Sequence, residues 1–440
     1  MTHPLFRVTG PVDGLSASDE AVLFNRGTSS NDVVRSRTAE IIARVRARGD
    51  AALVEMAQDL DGVSLETIEV DRADSRAALR ALEPGLRRAL ERAAANIATA
   101  HRAWLPTATE VETEPGIIVG RRPDPLGRVG VYAPGGRAAY PSSVLMGAIP
   151  ARVAGVREIV LCSPPHRAAS GLLSPVVLAA AELAGVDRIF AIGGAGAIAA
   201  MAYGTAAVPR VDRIVGPGNA YVAEAKAQIA GVVAIDAPAG PSELLVIADG
   251  SATADGIARE MLAQAEHDPL ASVVLLADGE ATARRIAASV SRLLPGCPRA
   301  DIIEQSFAAR GALLWQTLPG NEQAVDLAER YAPEHLLLAI TAPERLLPAL
   351  RNAGTIFLGT ASSVAFGDYI TGANHVLPTG GAARSYSGLS TLDFFRWTTY
   401  QRVEPAAAIR LADDVRRLAE AEGLYAHAAA GGSWATGASS

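Results

Sequence analysis

Residues 31–105 place apolar side chains three and four positions apart, as in VVRSRTAEIIARVRARGDAALVEMAQDL, and that period predicts helix. Asn31 or Asp32 is positioned to cap its start. Near residue 128 the rhythm changes. RVGVYAP, PSSVLMGAIPARVAGV and EIVLCSPP predict strand, helix and strand in succession. Short apolar runs continue at RIFAIGG, DRIVGPG, VVAIDAP, LLVIAD, SVVLLAD, ALLWQT, EHLLLAI and TIFLGT, with Ala-rich helical segments in most gaps. Such alternation predicts mainly parallel sheets covered by helices. So many strands fit two α/β lobes better than one sheet, and two lobes meet in a cleft, the usual place for a ligand. After about residue 380 the alternation stops. A polar turn, SYSGLS, leads to a helix near 405–422, and the small-residue end AAAGGSWATGASS is expected to be disordered.

Length adds that 440 residues exceed one ordinary domain, so two or three are expected. Apolar residues make up 49 %, ample for a large core. The net charge of −7 comes with no long run of one sign, which argues against nucleic acid or an anionic membrane as the main partner. Cys162 and Cys297 match no metal or redox spacing and exclude a disulfide framework, so a reducing cytosol is the expected compartment. The start, MTHPLFRVTG, lacks the pattern of a secretory signal, and no stretch approaches the roughly 18 apolar residues of a membrane span.

Chemistry gathers around four of the seven histidines. His3, His101 and His166 lie in an N-terminal arm, on a charged helix face and in a Pro-rich loop, without reactive neighbours. In YAPEHLLLA, Glu334 and His335 stand together at the lip of an apolar run; the alternative is a rim carboxylate beside a satisfied core histidine. In AQAEHDP, Gln264 and His267 share one helix face at i, i+3, and the alternative is a solvated helix end that favours His through its dipole. FGDYITGANHVLPTGG sets Asp368, Asn374 and His375 in a Gly-rich loop, either as functional groups or as Asx-type turns. EAEGLYAH holds Glu422 and His427 around Gly423, a candidate helix C-cap. Three glycine-bearing loops, YAPGG at 132–136, GGAGAIAA at 193–200 and GPGNAY at 216–221, could offer backbone N–H groups to a phosphate. Gly194, Gly196 and Ala199 match G-x-G-x-x-A, with Asp212 as an imperfect acidic partner; close helix packing explains these glycines equally.

In this order, YAPGG, GPGNAY, AGPSELLVIAD, QAEHD, YAPEHL, GDYITGANHVLPTGGAAR, SGLS and EGLYAH resemble the histidinol dehydrogenase family, from about residue 25 to His427. The resemblance implies oxidation of L-histidinol to L-histidine through L-histidinal, the last steps of histidine biosynthesis, with two NAD molecules and one zinc per site. It implies zinc ligands Gln264, His267, Asp368 and His427. Substrate contacts would be Ser242, His375 and Glu422, cofactor contacts Tyr132 and Asn219, and the acid–base pair Glu334 and His335. It implies two Rossmann-like lobes with mainly parallel sheets, a helical N-terminal segment and a C-terminal dimerisation arm. The expected division is an arm at 1–24, a first lobe at 25–131 and 241–380 with the zinc and acid–base residues, an NAD-binding lobe at 132–240, and an arm at 381–440. In the family's intertwined homodimer that last arm reaches the partner's active site.

The chemistry is coherent in itself. A sulfur-free set with one full negative charge keeps net positive charge at the metal, and it can add the imidazole and amine nitrogens of histidinol. An imidazole with a pKa of about 6.5 suits removal of the hydroxyl proton, and a carboxylate suits activation of the water that hydrates the aldehyde. The chain departs from the family at Gly196, where Gln is usual, and in FFRWTTYQRV, where Trp397 and Tyr400 are bulky additions. Two alternatives stand beside this expectation. A sibling dehydrogenase acting on another small amino alcohol or diol would alter the substrate residues, and Ser242, His375 and Glu422 are retained. A non-catalytic metal-binding or assembly protein would not need an intact Glu334–His335 pair.

Overall fold

The computed structural model describes residues 4–27, 32–135, 139–166 and 171–436. His3, Asn31 and Gly136 therefore lie outside the described residues. The chain divides into two compact units, Met1–Trp104 with Leu126–Phe394, and Leu105–Pro125 with Phe395–Ser440.

The strands, in chain order, are β1 (Val8–Pro11), β2 (Glu69–Val70), β3 (Thr109–Glu114), β4 (Ile117–Pro125) and β5 (Arg128–Tyr132). There follow β6 (Glu158–Ser163), β7 (Arg188–Ala191), β8 (Arg213–Val215), β9 (Ala234–Ile235) and β10 (Glu243–Ala248). The last are β11 (Ser272–Ala277), β12 (Ala312–Trp315), β13 (His335–Ala339), β14 (Thr355–Leu358) and β15 (Phe395–Val403).

The first unit contains two six-stranded sheets. One has the order β1-β12-β11-β10-β13-β14 and is parallel throughout. The other has the order β2-β7-β6-β5-β8-β9 and is parallel except for β2. Without its outer strand from the N-terminal part of the chain, each sheet has the doubly wound order, with the earliest strand central and later ones added on both sides. All ten runs expected to form strands do so, as β5 to β14.

Burial on both faces explains their continuous apolar sequences. Leu244, Val246 and Ala248 of β10 pack with Ile257, Met261 and Ile286 from helices on one face. Leu245 and Ile247 of the same strand pack with Leu327, Tyr331 and Leu23 on the other. The period-two alternation thus feeds two cores from one strand.

Three expected boundaries are corrected. Residues 1–24 are not a free arm: Val8–Pro11 pairs with β12, and helix Ala17–Phe24, started by a Ser16–Asp19 capping box, buries Leu23 in the same lobe. Residues 25–131 do not complete the first lobe. Helix Asp32–Arg48 packs on helices Gly194–Tyr203 and Ala220–Ile229, Arg72–Ala81 on Pro175–Leu183, and Pro84–Ala103 on Pro141–Ala154, all in the second lobe. A helical period shows that an apolar face exists, not which sheet receives it. The segment 381–440 is also divided, because residues up to Phe394 belong to the first unit.

In the second unit β15 pairs antiparallel with β4 from Phe395↔Pro125 to Val403↔Ile117, and β3 pairs on the other side. Helices Pro405–Ala421 and Tyr425–Gly432 follow, with a 3₁₀ turn at Ser433–Thr436, so residues 428–436 are ordered rather than disordered. Alanine favours helix, and Ala428 is buried. The bulky residues of β15 have local uses. Trp397 carries the Arg121 guanidinium 4.1 Å above its ring. Tyr400 donates to Glu110 Oε1 at 2.7 Å and lies across Gly120, where a Cβ would come within 2.2 Å of the ring.

Candidate active site

Helix Ala254–Ala265 begins at Thr253, whose hydroxyl accepts the Gly256 N–H, and delivers Gln264 and His267 at its far end. Helix Val364–Tyr369 delivers Asp368, so that residue sits on a short helix and not in a loop. The two helices are tied where the Val364 N–H donates to Glu260 Oε2 at 3.1 Å. Because helices run back between parallel strands, the end of Ala254–Ala265 returns to the edge where β10 and β13 begin. Glu243 opens β10 directly after Ser242, and His335 opens β13 directly after Glu334.

Glu334 and His335 are both buried. Glu334 Oε2 accepts the Glu243 N–H at 2.7 Å, and His335 Nδ1 donates to the Glu243 carbonyl at 3.1 Å. That bond fixes the neutral tautomer with its lone pair on Nε2. His335 Nε2 is buried without a hydrogen-bond partner and stands 3.5 Å from Asp368 Oδ1. Burial pushes the Glu334 carboxyl up to about 8, against the pull of the His335 imidazole. For His335 burial acts downward, and the carboxylates of Glu334 and Asp368 outweigh it and favour the imidazolium. Burial raises Asp368 too, but His335, then His375 and His267, outweigh it and hold that carboxyl below its usual range.

Three histidines therefore surround one carboxylate. His375 repeats the arrangement of His335: its Nδ1 donates to the Asp368 carbonyl at 2.8 Å, and its Nε2 lies 3.4 Å from Ser143 Oγ. Asn374 is the expected Asx turn, with Oδ1 accepting the Val376 N–H, and its amide also donates to the Met146 carbonyl at 2.8 Å. Ser143 and Met146 lie on helix Pro141–Ala154, so the second lobe touches this site directly.

One side chain expected to ligate zinc has the free polar atom that a ligand would need. Gln264 is 3 % exposed, and its Nε2 is buried without a partner. Turned over, the amide would present its carbonyl oxygen there, the atom zinc takes. Among the described residues no three or more His, Cys, Asp or Glu side chains form a ready metal cage. Of the four residues expected to hold zinc, this unit carries His267, Asp368 and the neutral Gln264. His427 and Glu422 belong to the second unit, where both are exposed, with Gly423 the expected left-handed helix end at φ +74°.

A cavity of about 180 Å³ opens at the other sheet. Tyr132, Gly193, Gly194, Gly196 and Asn219 line it, at or beyond the carboxyl ends of their strands. The Tyr132 hydroxyl accepts the Gly194 N–H at 3.0 Å, and burial pushes the phenol up to about 12. Asn219 is also a helix cap, its Oδ1 accepting the Tyr221 and Val222 N–H groups. Gly216, at φ +114°, packs so closely that a Cβ would fall 2.0 Å from the Tyr132 carbonyl oxygen. Buried Lys226 and Asp236, 2.6 Å apart, hold its C=O and N–H. At Gly196 a Cβ would meet Met56 Sδ at 3.1 Å and Leu53 Cδ2 at 3.4 Å, so the space beside this glycine is already occupied. Asp212 is no ribose ligand: it caps the amino end of β5, accepting the Arg128 N–H at 2.8 Å, on the opposite edge from the cavity. A wider groove of about 680 Å³ beside β2 holds none of the candidate residues.

A model of the histidinol dehydrogenase family matches residues 24–432. The chain belongs to the histidinol dehydrogenase family. It is 47 % identical to the histidinol dehydrogenase of Methanothermobacter thermautotrophicus over 406 residues, 92 % of this chain and 94 % of that one. With the histidinol dehydrogenase of Pseudomonas putida it shares 47 % identity over 402 residues, 91 % of this chain and 90 % of the other. A crystal structure of histidinol dehydrogenase from Elizabethkingia anophelis matches over 100 % of both chains with a TM-score of 0.93 at 34 % identity. Membership makes the chain an oxidoreductase of histidine biosynthesis and confirms the α/β fold. No helix among the described residues is long and apolar enough to cross a membrane. Sequence reasoning missed Glu243, Arg26 and Ser143. Of these, Glu243 had a signal: in PSELLVIAD it opens an apolar run just as Glu334 does in PEHLLLA.

Proposed function

We propose that the chain carries out the four-electron oxidation of L-histidinol to L-histidine via L-histidinal, with NAD and one zinc ion per site, in the cytosol. The observation that carries this is the unpartnered Nε2 of buried His335, oriented by its Nδ1–H bond to Glu243 and flanked by Glu334 and Asp368. Gln264, His267, Asp368 and His427 would hold the metal, while Tyr132 and Asn219 would contact the cofactor. When bound, NAD accepts a hydride in each oxidation, and zinc supplies an electrophilic anchor for the substrate nitrogens.

His335 Nε2 takes the hydroxyl proton of the alcohol as the C–H electron pair departs as hydride. Glu334 takes a proton from the water that attacks the aldehyde carbon, and protonated His335 returns its proton to the carbonyl oxygen to give the hydrate, which leaves His335 free as a base again. His335 then takes a hydrate hydroxyl proton as the second hydride leaves. A carboxylate pushed up by burial is a stronger base near neutral pH than an ordinary one. Asp368, as a metal ligand, would favour the His335 imidazolium less, and His335 would then lie closer to the neutral form a base requires. Ser242, His375 and Glu422 would hold the substrate.

Glu422 and His427 complete the site from a second copy of the chain in a homodimer. The second unit supports this: Ile409, Leu418 and Tyr425 are 54 %, 69 % and 73 % exposed on its helices, an apolar surface that calls for a cover. NADH formation measured with histidinol and with a panel of other amino alcohols and diols tests the proposal. Histidinol is expected to be the best substrate; turnover of a diol alone would assign the site to a sibling activity.

A further inference from the structure

We infer that Glu243, anchored by Arg26, is the positioning residue that aims both members of the acid–base pair. The inference rests on the assignment of Glu334 and His335 as that pair. The Glu243 peptide touches each of them, its N–H on Glu334 Oε2 at 2.7 Å and its carbonyl on His335 Nδ1 at 3.1 Å.

The second lobe shows what the main chain does without such a residue. Its register is equivalent: Val129 pairs with Arg213 there, as Leu244 pairs with His335 here. In that lobe the residue before the strand, Asp212, donates its own N–H to the Arg128 carbonyl at 2.8 Å. In the first lobe the corresponding N–H, of Glu334, goes instead to Glu243 Oε2 at 3.4 Å. The Glu243 carbonyl is thereby left to receive the imidazole. The side chain of Glu243 has taken over a ladder bond so that its main chain can hold His335.

That carboxylate is itself fixed from two other segments. Arg26 Nη1 stands 2.5 Å from Oε2, with both side chains almost fully buried, and the Gly380 N–H donates to Oε1 at 2.8 Å. The Arg26 guanidinium lies 3.4 Å above the Tyr331 ring and donates to the Tyr331 carbonyl, while the Tyr331 hydroxyl meets Ser272 Oγ at 2.8 Å. A buried ion pair is a poor means of gaining stability, because desolvation offsets most of its attraction. Here it fixes the residue that aims the base.

Arg26→Met, Arg26→Lys and Glu243→Gln test this in the full-length, zinc-loaded enzyme. For each, kcat and KM are measured with histidinol and with histidinal, alongside KM for NAD, zinc content and unfolding midpoint. Misaim of a base by a fraction of an ångström lowers kcat about tenfold to a hundredfold. Arg26→Met and Glu243→Gln are expected to show that loss with both substrates, with KM values within about twofold and zinc retained. Arg26→Lys should recover part of it, and the double variant should be no slower than the worse single one. Unchanged kcat in folded Glu243→Gln or Arg26→Met, or a loss confined to KM or stability, overturns the inference. Full activity in His335→Asn would instead overturn the underlying assignment.

Discussion

Tyr132 ends β5, Gly193 and Gly194 follow β7, and Asn219 follows β8, so the second lobe builds its cavity beyond the carboxyl ends of its strands. The first lobe, with the same strand order, gathers Glu243, Glu334 and His335 at the amino ends of β10 and β13. Carboxyl ends are the usual place for ligands in such sheets, so the first lobe is the exception. At the amino edges the two lobes are directly comparable. Asp212 Oδ2 accepts the Arg128 N–H at 2.8 Å, and Glu334 Oε2 accepts the Glu243 N–H at 2.7 Å. Asp212 is exposed and Glu334 is buried. The same local bond serves as a strand cap in water, whereas out of water burial pushes the Glu334 carboxyl up to about 8 against both that bond and the neighbouring imidazole.

The largest expected effects test this contrast directly. Glu334→Gln should slow histidinal oxidation by about 10²- to 10⁴-fold and histidinol oxidation less, since water activation belongs to the second step. Asp212→Asn should leave kcat unchanged in stopped-flow and steady-state assays. Comparable losses in the two variants would dissolve the distinction between cap and base. His267→Ala comes next. It should remove most bound zinc by metal analysis and abolish most turnover, while NAD binding followed by calorimetry persists, because the cavity lies on the other lobe. Restoration of full activity to this variant in a metal-free preparation would remove His267 from the metal set.

Gly196→Gln sharpens the second lobe. Overpacking against Met56 and Leu53 should cost about 1–3 kcal/mol in urea unfolding and should not tighten NAD. Tighter binding would mean that the loop still accepts the family's usual contact.

Burial without a carboxylate supplies the smallest test. His101 is fully buried, its Nδ1 accepts the Thr391 N–H at 3.1 Å, and burial pushes its pKa down to about 4. Above about pH 6.5 folded and unfolded chains both hold it neutral. As pH falls from there toward 4, the unfolded chain takes a proton that the folded one refuses, and stability declines by at most about 1.4 kcal/mol per pH unit. His101→Asn keeps an acceptor for Thr391 and should flatten that part of the urea-midpoint profile between pH 6.5 and 4. An unchanged slope would show that other groups set it.

Much of this was legible beforehand, for physical reasons that can be named. β5 to β14 could be read because strands buried on both faces are apolar throughout. β3, β4 and β15 could not, since TEVETE and FRWTTYQRV are largely exposed and carry no core-facing pattern. The helices of residues 32–103 were legible as helices, but their docking on the second lobe depends on shape, which periodicity does not encode. Glu334 and His335 stood out by adjacency. Arg26 did not, because nothing in LFNRG signals an arginine that will be buried against a glutamate more than two hundred residues away.

The pairing of β15 with β4 also has a consequence for biosynthesis. Residues 126–394 intervene between the two strands. At about 5–20 residues per second the ribosome adds that stretch in some tens of seconds, and throughout it the edge of β4 that takes β15 is unpaired. An open edge is an invitation to foreign strands, and like-charged, polar edges discourage them. Arg121 and Arg122 put two like charges on β4 until its partner strand emerges.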